Sequence, residues 1–285
     1  MKSDSQPSSL LQQEFSCGKY QLTLNRPHVM GIVNVTPDSF SDGGKFSSTD
    51  LAVEHALKLI AEGADILDIG GESSRPGAAI VSLDDELKRV IPVIEALSKT
   101  CNVPISIDTY KPEVMRQAIA AGADIVNDVR ALQEPNALEI VAHSKVGVCL
   151  MHMQGTPQTM QLDPHYADVV SEVKQFLVDR VNAALAHGIE KNRILLDPGF
   201  GFGKTRAHNI ALIQHLDELS VIDLPLLVGL SRKSVLGSIT GADEGQRLYA
   251  SIAASVISAM KGAKIIRVHD VKATVDALKV VTAIQ

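Results

Sequence analysis

The chain has 285 residues, of which 45% are hydrophobic and 21% charged, and its formal net charge is −6. This apolar fraction is enough to form a large core, which excludes disordered and fibrous classes. The negative charge argues against broad binding of nucleic acid or anionic lipid, and no segment has the length of a membrane span. Three cysteines without a CxxC spacing indicate neither a disulfide framework nor a thiolate metal site. Since no signal peptide is visible either, we expect a cytoplasmic protein.

The N-terminal part of the chain divides into a tail and a hairpin. Residues 1–13 are rich in serine and glutamine without periodicity, and we predict a mobile tail. Residues 14–24 alternate loosely around Gly18 and Lys19, which predicts a β-hairpin that closes the bottom of a barrel. We expect residues 14–285 to form one domain.

Eight apolar, β-branched runs follow, and segments with helical periodicity lie between them. The runs cover residues 29–35, 66–69, 104–107, 125–126, 146–150, 194–196, 226–230 and 265–268. The helices are expected at about residues 50–62, 83–99, 111–121, 136–144, 165–187, 206–217, 246–261 and 271–284. This alternation predicts an α/β protein with a closed (β/α)8 barrel, the TIM barrel. A doubly wound open sheet is the alternative on periodicity alone.

Polar side chains follow nearly every predicted strand. In a (β/α)8 barrel these strand ends meet at one mouth, where the chemistry occurs. Taken singly, Asp108 and Asp128 are more often helix caps or turn residues. Together the ends predict a site that hydrogen-bonds a polar heterocycle on one side and holds an anion on the other. They are Asn34, Gly70-Gly71-Glu72, Asp108, Asn127-Asp128, Met151-His152, Asp197, Ser231-Arg232-Lys233 and Arg267 with His269.

Basic residues cluster after the last two predicted strands. Lys233, Arg267 and His269 lie where barrels of this type often bind phosphate. Solvated side chains at helix starts are the alternative, but basic residues are unfavourable at helix N-termini unless an anion offsets them. We therefore expect an anion site there, in which arginine makes bidentate contacts.

Three glycine-rich loops follow predicted strands. Residues 197–205 end in Gly-Lys-Thr, but Pro198 stands where a nucleotide-binding loop of the Walker A type needs glycine. The loop instead suits a planar ligand, because its glycines allow close approach and Phe202 can stack. Residues 36–44 and 73–77 are candidate lids over the barrel mouth, with ordinary structural turns as the alternative.

Seven motifs together resemble those of the dihydropteroate synthase family, over about residues 28–285. The sequence departs from the family at Ser74, where threonine is usual, and at Tyr110, where serine is common. The serine keeps the hydroxyl. The motifs are VNVTPDSFSDGG at 33–44, DIGGESSRPG at 68–77, IDT at 107–109, ND at 127–128, DPGFGFGK at 197–204, SRKS at 231–234 and RVHD at 267–270.

The resemblance implies a reaction and a set of roles. The family condenses 6-hydroxymethyl-7,8-dihydropterin diphosphate with 4-aminobenzoate in folate biosynthesis, uses Mg2+, and is a sulfonamide target. The implied pterin contacts are Asp108, Asn127, Met151, Asp197, Phe202 and Lys233. The implied diphosphate contacts are Asn34, Ser74, Arg267 and His269, with Asn34 also the ligand of Mg2+. The implied aminobenzoate contacts are Thr36, Pro37, Phe40, Arg75, Pro76 and Ser234, and the implied catalytic residues are Asp38, Lys233, Arg267 and His269.

Other functions are compatible with part of this pattern. A pterin-dependent methyltransferase domain shares the barrel and the pterin motifs but lacks the two-loop aminobenzoate constellation. A non-catalytic pterin-binding subunit is disfavoured by the presence together of Asn34, Asp38, Lys233, Arg267 and His269. A barrel aldolase is disfavoured because a Schiff-base lysine must be neutral and Lys233 lies among other cations. The apolar segment 250–260 is compatible with a core helix, but we expect it to face a second subunit in a homodimer.

Overall fold

The computed structural model describes residues 13–36, 48–73, 75, 77–220 and 223–285. The predicted tail therefore lies almost wholly outside the described residues. The strands are β1 (Glu14–Cys17), β2 (Tyr20–Thr23), β3 (His28–Asn34), β4 (Ile66–Gly70), β5 (Ile105–Asp108), β6 (Ile125–Asp128), β7 (Gly147–Met151), β8 (Ile194–Asp197), β9 (Leu227–Val228) and β10 (Ile265–Val268). The α-helices are α1 (Ser48–Ala61), α2 (Leu83–Thr100), α3 (Pro112–Ala121), α4 (Ala137–Ala142), α5 (Val169–Ala186), α6 (Arg206–Gln214), α7 (Ser234–Thr240), α8 (Leu248–Met260) and α9 (Val271–Ile284).

The last eight strands form one parallel sheet that closes on itself. Its order is β8-β7-β6-β5-β4-β3-β10-β9, and a parallel bridge between Leu196 and Leu226 joins the two ends. Valine, isoleucine and leucine dominate these strands because both faces are buried, the outer face under the helices and the inner face inside the barrel. The predicted (β/α)8 barrel is confirmed.

The predicted elements match the structure closely, with two differences. The strand expected at residues 226–230 is only β9, two residues long, so closure there depends on the bridge at Leu226. Helix α7 was not predicted, because its seven residues are too few for a hydrophobic period to be visible. Glycines expected to end helices do so: Gly63 and Gly122 have φ values of 103° and 111°, which only glycine adopts readily.

The N-terminal hairpin closes the bottom of the barrel. Strands β1 and β2 pair antiparallel, and Phe15 and Cys17 are completely buried. They pack, with Leu24, against the lowest interior layer of the barrel, which consists of Met30, Ile66, Ile125, Cys149, Leu195, Leu227 and Ile265. At the foot of β7 a side chain at Gly147 would overlap the Phe15 ring, so the glycine makes room for this plug.

Truncation of the plug should destabilise the protein without affecting its chemistry. Phe15→Ala is expected to lower the free energy of unfolding by about 3–5 kcal/mol, since the fully buried ring leaves a cavity. Because the plug lies at the end of the barrel opposite the strand ends, catalytic turnover below the melting temperature should change by less than about twofold. Denaturant unfolding measures the first effect, with Gln21→Ala on the exposed side of the hairpin as control. A loss of stability below about 1 kcal/mol would contradict the plug.

Two general features bear on cellular context. Cys17, Cys101 and Cys149 are buried and form no disulfide. Within the described ranges, no helix is both long and apolar enough to cross a lipid bilayer.

Candidate active site

The strand period of two residues brings the polar site to the upper end of the barrel interior. Five of the seven barrel side chains in the apolar bottom layer are followed, two positions later on the same face, by a residue of the mouth. The pairs are Ile66 and Asp68, Ile125 and Asn127, Cys149 and Met151, Leu195 and Asp197, and Ile265 and Arg267. The same alternation of side chains along the strands therefore builds the apolar bottom layer and the polar site directly above it.

An arginine bridges two buried carboxylates at the centre of the mouth. Arg267 donates from Nε to Asp68 Oδ2 at 2.6 Å and from a terminal nitrogen to Asp108 Oδ2 at 2.8 Å. Asn127 donates its amide N–H to the same Asp68 oxygen at 3.2 Å. Burial works against the charge of Arg267, but the two carboxylates more than offset it and raise the pKa of the guanidinium. Burial raises the pKa of Asp108 to about 7, although Arg267 opposes this.

A second charged pair, Asp197 and Lys233, lines the other side of the mouth. Asp197 ends β8, and its carboxylate accepts a hydrogen bond from Gly199 N at 2.7 Å. Lys233 donates to the carbonyl of Phe200, and its Nζ lies 4.4 Å from the centroid of the Phe202 ring. Burial raises the pKa of Asp197 and lowers the pKa of Lys233 to about 8, and each charge counteracts the shift of the other.

Apolar side chains form a wall beside these charges. Met151 at the end of β7 and Phe202 in the loop after β8 are buried and pack with Val129 and Met160. Tyr110, the departure from the family motif, packs against the same group. A flat apolar surface next to carboxylate, amide and ammonium groups suits a planar, hydrogen-bonding heterocycle.

His269 follows β10 and differs from the sequence-based expectation of a charged residue. Its backbone N–H donates to Ser231 Oγ at 3.2 Å, and its Nδ1 lies 3.1 Å from the same oxygen. Burial, followed by the positive charge of Arg267, lowers the pKa of His269 to about 3. The imidazole is therefore neutral at pH 7 and offers an N–H group rather than a positive charge.

Asp128 has the structural role that its residue type favours. Its two carboxylate oxygens accept backbone N–H groups of Arg130 at 2.8 Å and Leu132 at 2.7 Å. The side chain is completely buried within its own loop. Asp108, by contrast, pairs with Arg267 in the mouth, so the two similar aspartates have different roles.

The remaining predicted site residues fall into two groups. Asn34 is half-buried at the end of β3, and Thr36 is half-buried two residues later. Arg75 is exposed on the loop after β4, and Ser234 is exposed at the start of α7. Pro37, Asp38, Phe40, Ser74 and Pro76 lie outside the described residues. The lid loops expected at residues 36–44 and 73–77 are therefore described only in part.

Sequence reasoning missed a charged network beside Asp108. Lys111 donates to both Glu72 and Glu86, and the buried Glu86 also accepts from Thr109 Oγ1 at 2.7 Å. A small cavity adjoins this network, lined by Glu72, Ser73, Glu86, Asp108, Thr109, Tyr110, Val129 and Pro157. Glu72 was among the strand-end residues expected at the mouth, but its partners Lys111 and Glu86 were not. Sequence reasoning also missed Asp68, for which a charged residue within the apolar run of β4 was a signal.

Asn34 provides an oxygen ligand suited to Mg2+. A Cβ atom placed on Gly70 would lie 3.9 Å from both Asn34 Oδ1 and Asp108 Oδ2, so these oxygens flank the same glycine. Among the residues that the structure describes, no cluster of three or more histidine, cysteine, aspartate or glutamate side chains could hold a metal ion. A single protein oxygen nevertheless fits Mg2+, which keeps most of its water and phosphate ligands.

Comparison with known proteins identifies relatives along almost the whole chain. The family model of pterin binding enzymes matches residues 30–269. The dihydropteroate synthase of Escherichia coli (strain K12) is 55% identical over 262 residues, which are 92% of this chain and 93% of that protein.

Solved structures show the same similarity in three dimensions. Dihydropteroate synthase of Xanthomonas albilineans with 4-aminobenzoic acid has a TM-score of 0.92 and 55% identity, covering 96% of this chain and 98% of that one. The same enzyme in complex with 7,8-dihydropteroate has a TM-score of 0.88 and 53% identity, covering 95% and 98% of the two chains. With the charged mouth and apolar wall described above, these similarities show that the chain belongs to the pterin binding enzymes, in the dihydropteroate synthase family.

Proposed function

We propose that this chain condenses 6-hydroxymethyl-7,8-dihydropterin diphosphate with 4-aminobenzoate, giving 7,8-dihydropteroate and diphosphate for folate biosynthesis. The observation that carries the proposal is the convergence of Asp197, Asn127 and Lys233 beside the apolar wall of Met151 and Phe202. The relatives in this family are transferases. The proposed reaction needs both sides of the mouth, one to bind the heterocycle and the other to bind the diphosphate anion.

The pterin ring has partners of matching polarity in the mouth. The Asp197 carboxylate accepts hydrogen bonds from the pterin 2-amino group and from N3–H, while Asn127 and Asp108 form hydrogen bonds with other edges of the ring. Lys233 reaches the ring carbonyl and N5. Met151 and Phe202 cover the faces of the ring. A buried polar site of this kind discriminates strongly, because a wrong ligand leaves its groups unpaired.

The diphosphate lies at the side of the mouth formed by Asn34, Arg267 and His269, with Ser74 on the second loop. Arginine and a neutral imidazole N–H both suit phosphate oxygens. Mg2+, when bound at Asn34, neutralises charge that builds up on the leaving diphosphate. These protein groups stabilise the diphosphate as it leaves. They assist its departure and do not deprotonate the amine.

The aminobenzoate needs positioning more than activation, because an arylamine is already neutral at pH 7. The proposal assigns the ring contacts to Thr36, Pro37, Phe40, Arg75 and Pro76. It assigns the contact with the carboxylate to Ser234 at the start of α7, whose hydroxyl can donate a hydrogen bond. The proposal assigns to Asp38 the stabilisation of the cation that develops on the pterin methylene.

Substitution of Asp38 tests its role in stabilising that cation. Asp38→Asn is expected to lower kcat at saturating substrates by about 10- to 1,000-fold, because a charge opposite the developing cation is removed. Steady-state kinetics at saturating concentrations of both substrates measure this. Full turnover by the variant would exclude the assigned role.

The lowered pKa of Lys233 predicts the alkaline limit of activity. The protonated amine donates to the pterin carbonyl, so kcat/KM for the pterin diphosphate should fall as the pH rises through about 8. Lys233→Arg keeps its charge at all accessible pH values, so its residual activity should lack this alkaline limb. A pH profile of kcat/KM between 6 and 10 tests both, and an unchanged limb in the variant would assign the titration to another group.

The proposal extends to assembly and location. Tyr249, Ile257 and Met260 are exposed apolar residues on one face of α8, which supports a homodimer through this helix. Sedimentation equilibrium of the full chain tests it, and a monomer at micromolar concentrations would contradict it. The reduced cysteines support a cytoplasmic location, which fractionation of cells expressing the chain would test.

The direct test of the activity is product identification by mass. Purified protein is incubated with the dihydropterin diphosphate, Mg2+ and 4-aminobenzoate in one reaction, and with a methylated folate and a nucleophilic methyl acceptor in another. The proposal predicts dihydropteroate in the first reaction and loss of the product when a chelator replaces Mg2+. Methyl transfer in the second reaction without dihydropteroate in the first would favour the pterin-dependent methyltransferase alternative.

A further inference from the structure

The loop between β8 and α6 is unusually well ordered by hydrogen bonds. We call residues 199–203 the Gly loop. Every backbone carbonyl in this loop accepts a hydrogen bond. The donors are Lys204 and Phe202 N for Gly199, Lys233 for Phe200, Gln161 for Gly201, Lys204 for Phe202 and Tyr166 Oη for Gly203. The loop is therefore held in one conformation by side chains from several elements.

Lys204 is the only donor side chain in this set that contacts two carbonyls of the Gly loop. Its Nζ lies 2.9 Å from Gly199 O, 3.0 Å from Phe202 O and 2.8 Å from His152 Nδ1. The side chain is 3% exposed, so water does not compete for these bonds. Burial lowers the pKa of Lys204, while the charge of Asp197 opposes this shift. The three N–H donors of the ammonium have three acceptors within 3.0 Å, and the His152 carbonyl lies farther away, at 3.5 Å.

His152, the residue after β7, provides the third contact of the Lys204 ammonium. Burial, together with the charge of Lys204, lowers the pKa of His152 to about 2, so the ring is neutral and accepts at Nδ1. The ring packs edge-on against Phe176 with centroids 4.9 Å apart and lies 6.0 Å from the Tyr166 centroid. Its backbone N–H donates to Asp197 O at 2.9 Å. His152 is therefore fixed relative to the end of β8.

The Gly loop carries two groups that contact Lys233. The Phe200 carbonyl accepts from Lys233 and the Phe202 ring lies against its ammonium. Gly199, with a φ of 67°, lies so close to His152 that a side chain there would overlap the His152 carbonyl. A shift of the loop would move both contacts of Lys233 together with the apolar wall.

We propose that Lys204 and His152 are a buried pair of positioning residues that sets the affinity for the pterin by fixing the Gly loop. The inference rests on the proposed function, since the ligand concerned is its pterin substrate. Neither residue reaches the reacting atoms. Lys204 fixes the positions of the Phe202 ring and the Phe200 carbonyl, and through them the direction of the Lys233 ammonium.

The proposal predicts an effect confined to one substrate. Lys204→Met keeps the chain length of the side chain and removes its donors, so Gly199 O and Phe202 O lose a partner. Kd and KM for the dihydropterin diphosphate should rise about 10- to 100-fold, because a displacement near 1 Å at a binding site costs this much. KM for 4-aminobenzoate should change by less than about threefold, since its contacts lie on other loops.

Lys191→Met is the matched control, because Lys191 is exposed in the short 3-10 helix before β8. Calorimetric titration with the dihydropterin diphosphate alone gives Kd, and steady-state kinetics give both KM values. Equal Kd values for wild type and Lys204→Met would overturn the proposal, even if the variant melted at a lower temperature. Failure of the wild-type protein to bind the pterin diphosphate would instead overturn the proposed function.

A second pair of variants keeps the test decisive if Lys204→Met does not fold. His152→Asn places an amide oxygen near the position of Nδ1 and should retain binding within about threefold of wild type. His152→Leu fills similar space without an acceptor and should weaken pterin binding about 10-fold or more, because the ammonium of Lys204 is then left with an unpaired donor. Equal Kd values for the two variants, whether near wild type or equally weakened, would contradict the acceptor role of His152.

Discussion

Asp197→Asn is expected to lower kcat/KM for the dihydropterin diphosphate by about 100- to 1,000-fold, which corresponds to about 2.7–4 kcal/mol of transition-state binding. The carboxylate is 6% exposed and already accepts from Gly199 N, which fixes its orientation toward the mouth. Asparagine keeps the shape but presents an N–H group to at least one donor of the pterin. When one buried N–H group faces another, the hydrogen bond is lost and no water molecule replaces it.

Steady-state kinetics with the pterin substrate varied at saturating 4-aminobenzoate measure this loss. The matched control is Asp217→Asn, whose side chain is 69% exposed, and it should leave kcat/KM unchanged. The stability of Asp197→Asn should not fall, because burial raises the pKa of the native carboxyl and so disfavours its charge. A loss below about fivefold would mean that Asp197 does not recognise the pterin.

Arg267→Met should affect both stability and turnover. Asp68 is completely buried, and without the guanidinium its charge and that of Asp108 have no cation within ion-pair distance among the described side chains. Breaking a buried ion pair by removing one partner costs about 3–5 kcal/mol in the free energy of unfolding. Turnover should fall about 100-fold or more, because Arg267 also holds the diphosphate in the proposed complex.

The stability effect of Arg267→Met should depend on pH in a defined direction. The pKa of Asp108 in the folded protein is already raised to about 7 by burial, and removal of the Arg267 charge that opposes this shift raises it further. A carboxyl whose pKa is higher in the folded state lowers stability progressively as the pH rises from its unfolded pKa to its folded pKa, and the loss is complete above the folded pKa. The destabilisation should therefore be larger at pH 8 than at pH 5.5. Denaturant unfolding at the two pH values tests this, and a pH-independent effect would contradict the charge argument.

Most of the barrel was predictable because each of its elements is encoded locally. The β-branched runs, the helical periods and glycines such as Gly63 and Gly122 each depend on only a few neighbouring residues. The mouth residues were predictable for the same reason: Asp197 and Arg267 stand at or next to the ends of their apolar runs, and a closed barrel brings such ends together. The length of β9 was not predictable, because closure of the barrel by a single bridge depends on the positions of all the other strands.

The pairings within the site depend on contacts that no local pattern encodes. Arg267 and Asp68 are 199 residues apart in sequence, and only closure of the barrel places one against the other. Lys204 stood out in the sequence only as the lysine of the Gly-Lys-Thr that ends the loop and received no role, whereas its side chain lies in the interior against His152. His269 was expected to carry a positive charge because it lies with Lys233 and Arg267 after the last two strands. Its neutral state follows from burial beside Arg267, which the sequence does not reveal.

The central claim is that the chain joins the pterin of the dihydropterin diphosphate to the amine of 4-aminobenzoate with release of diphosphate. The most direct test measures diphosphate release and dihydropteroate formation in the same reaction, with purified full-length protein, the dihydropterin diphosphate and Mg2+. The account predicts equal amounts of the two products when 4-aminobenzoate is present, and both lost together in Asp197→Asn. Tight binding of the pterin diphosphate without any dihydropteroate would contradict it and leave the chain as a pterin-binding protein of another activity.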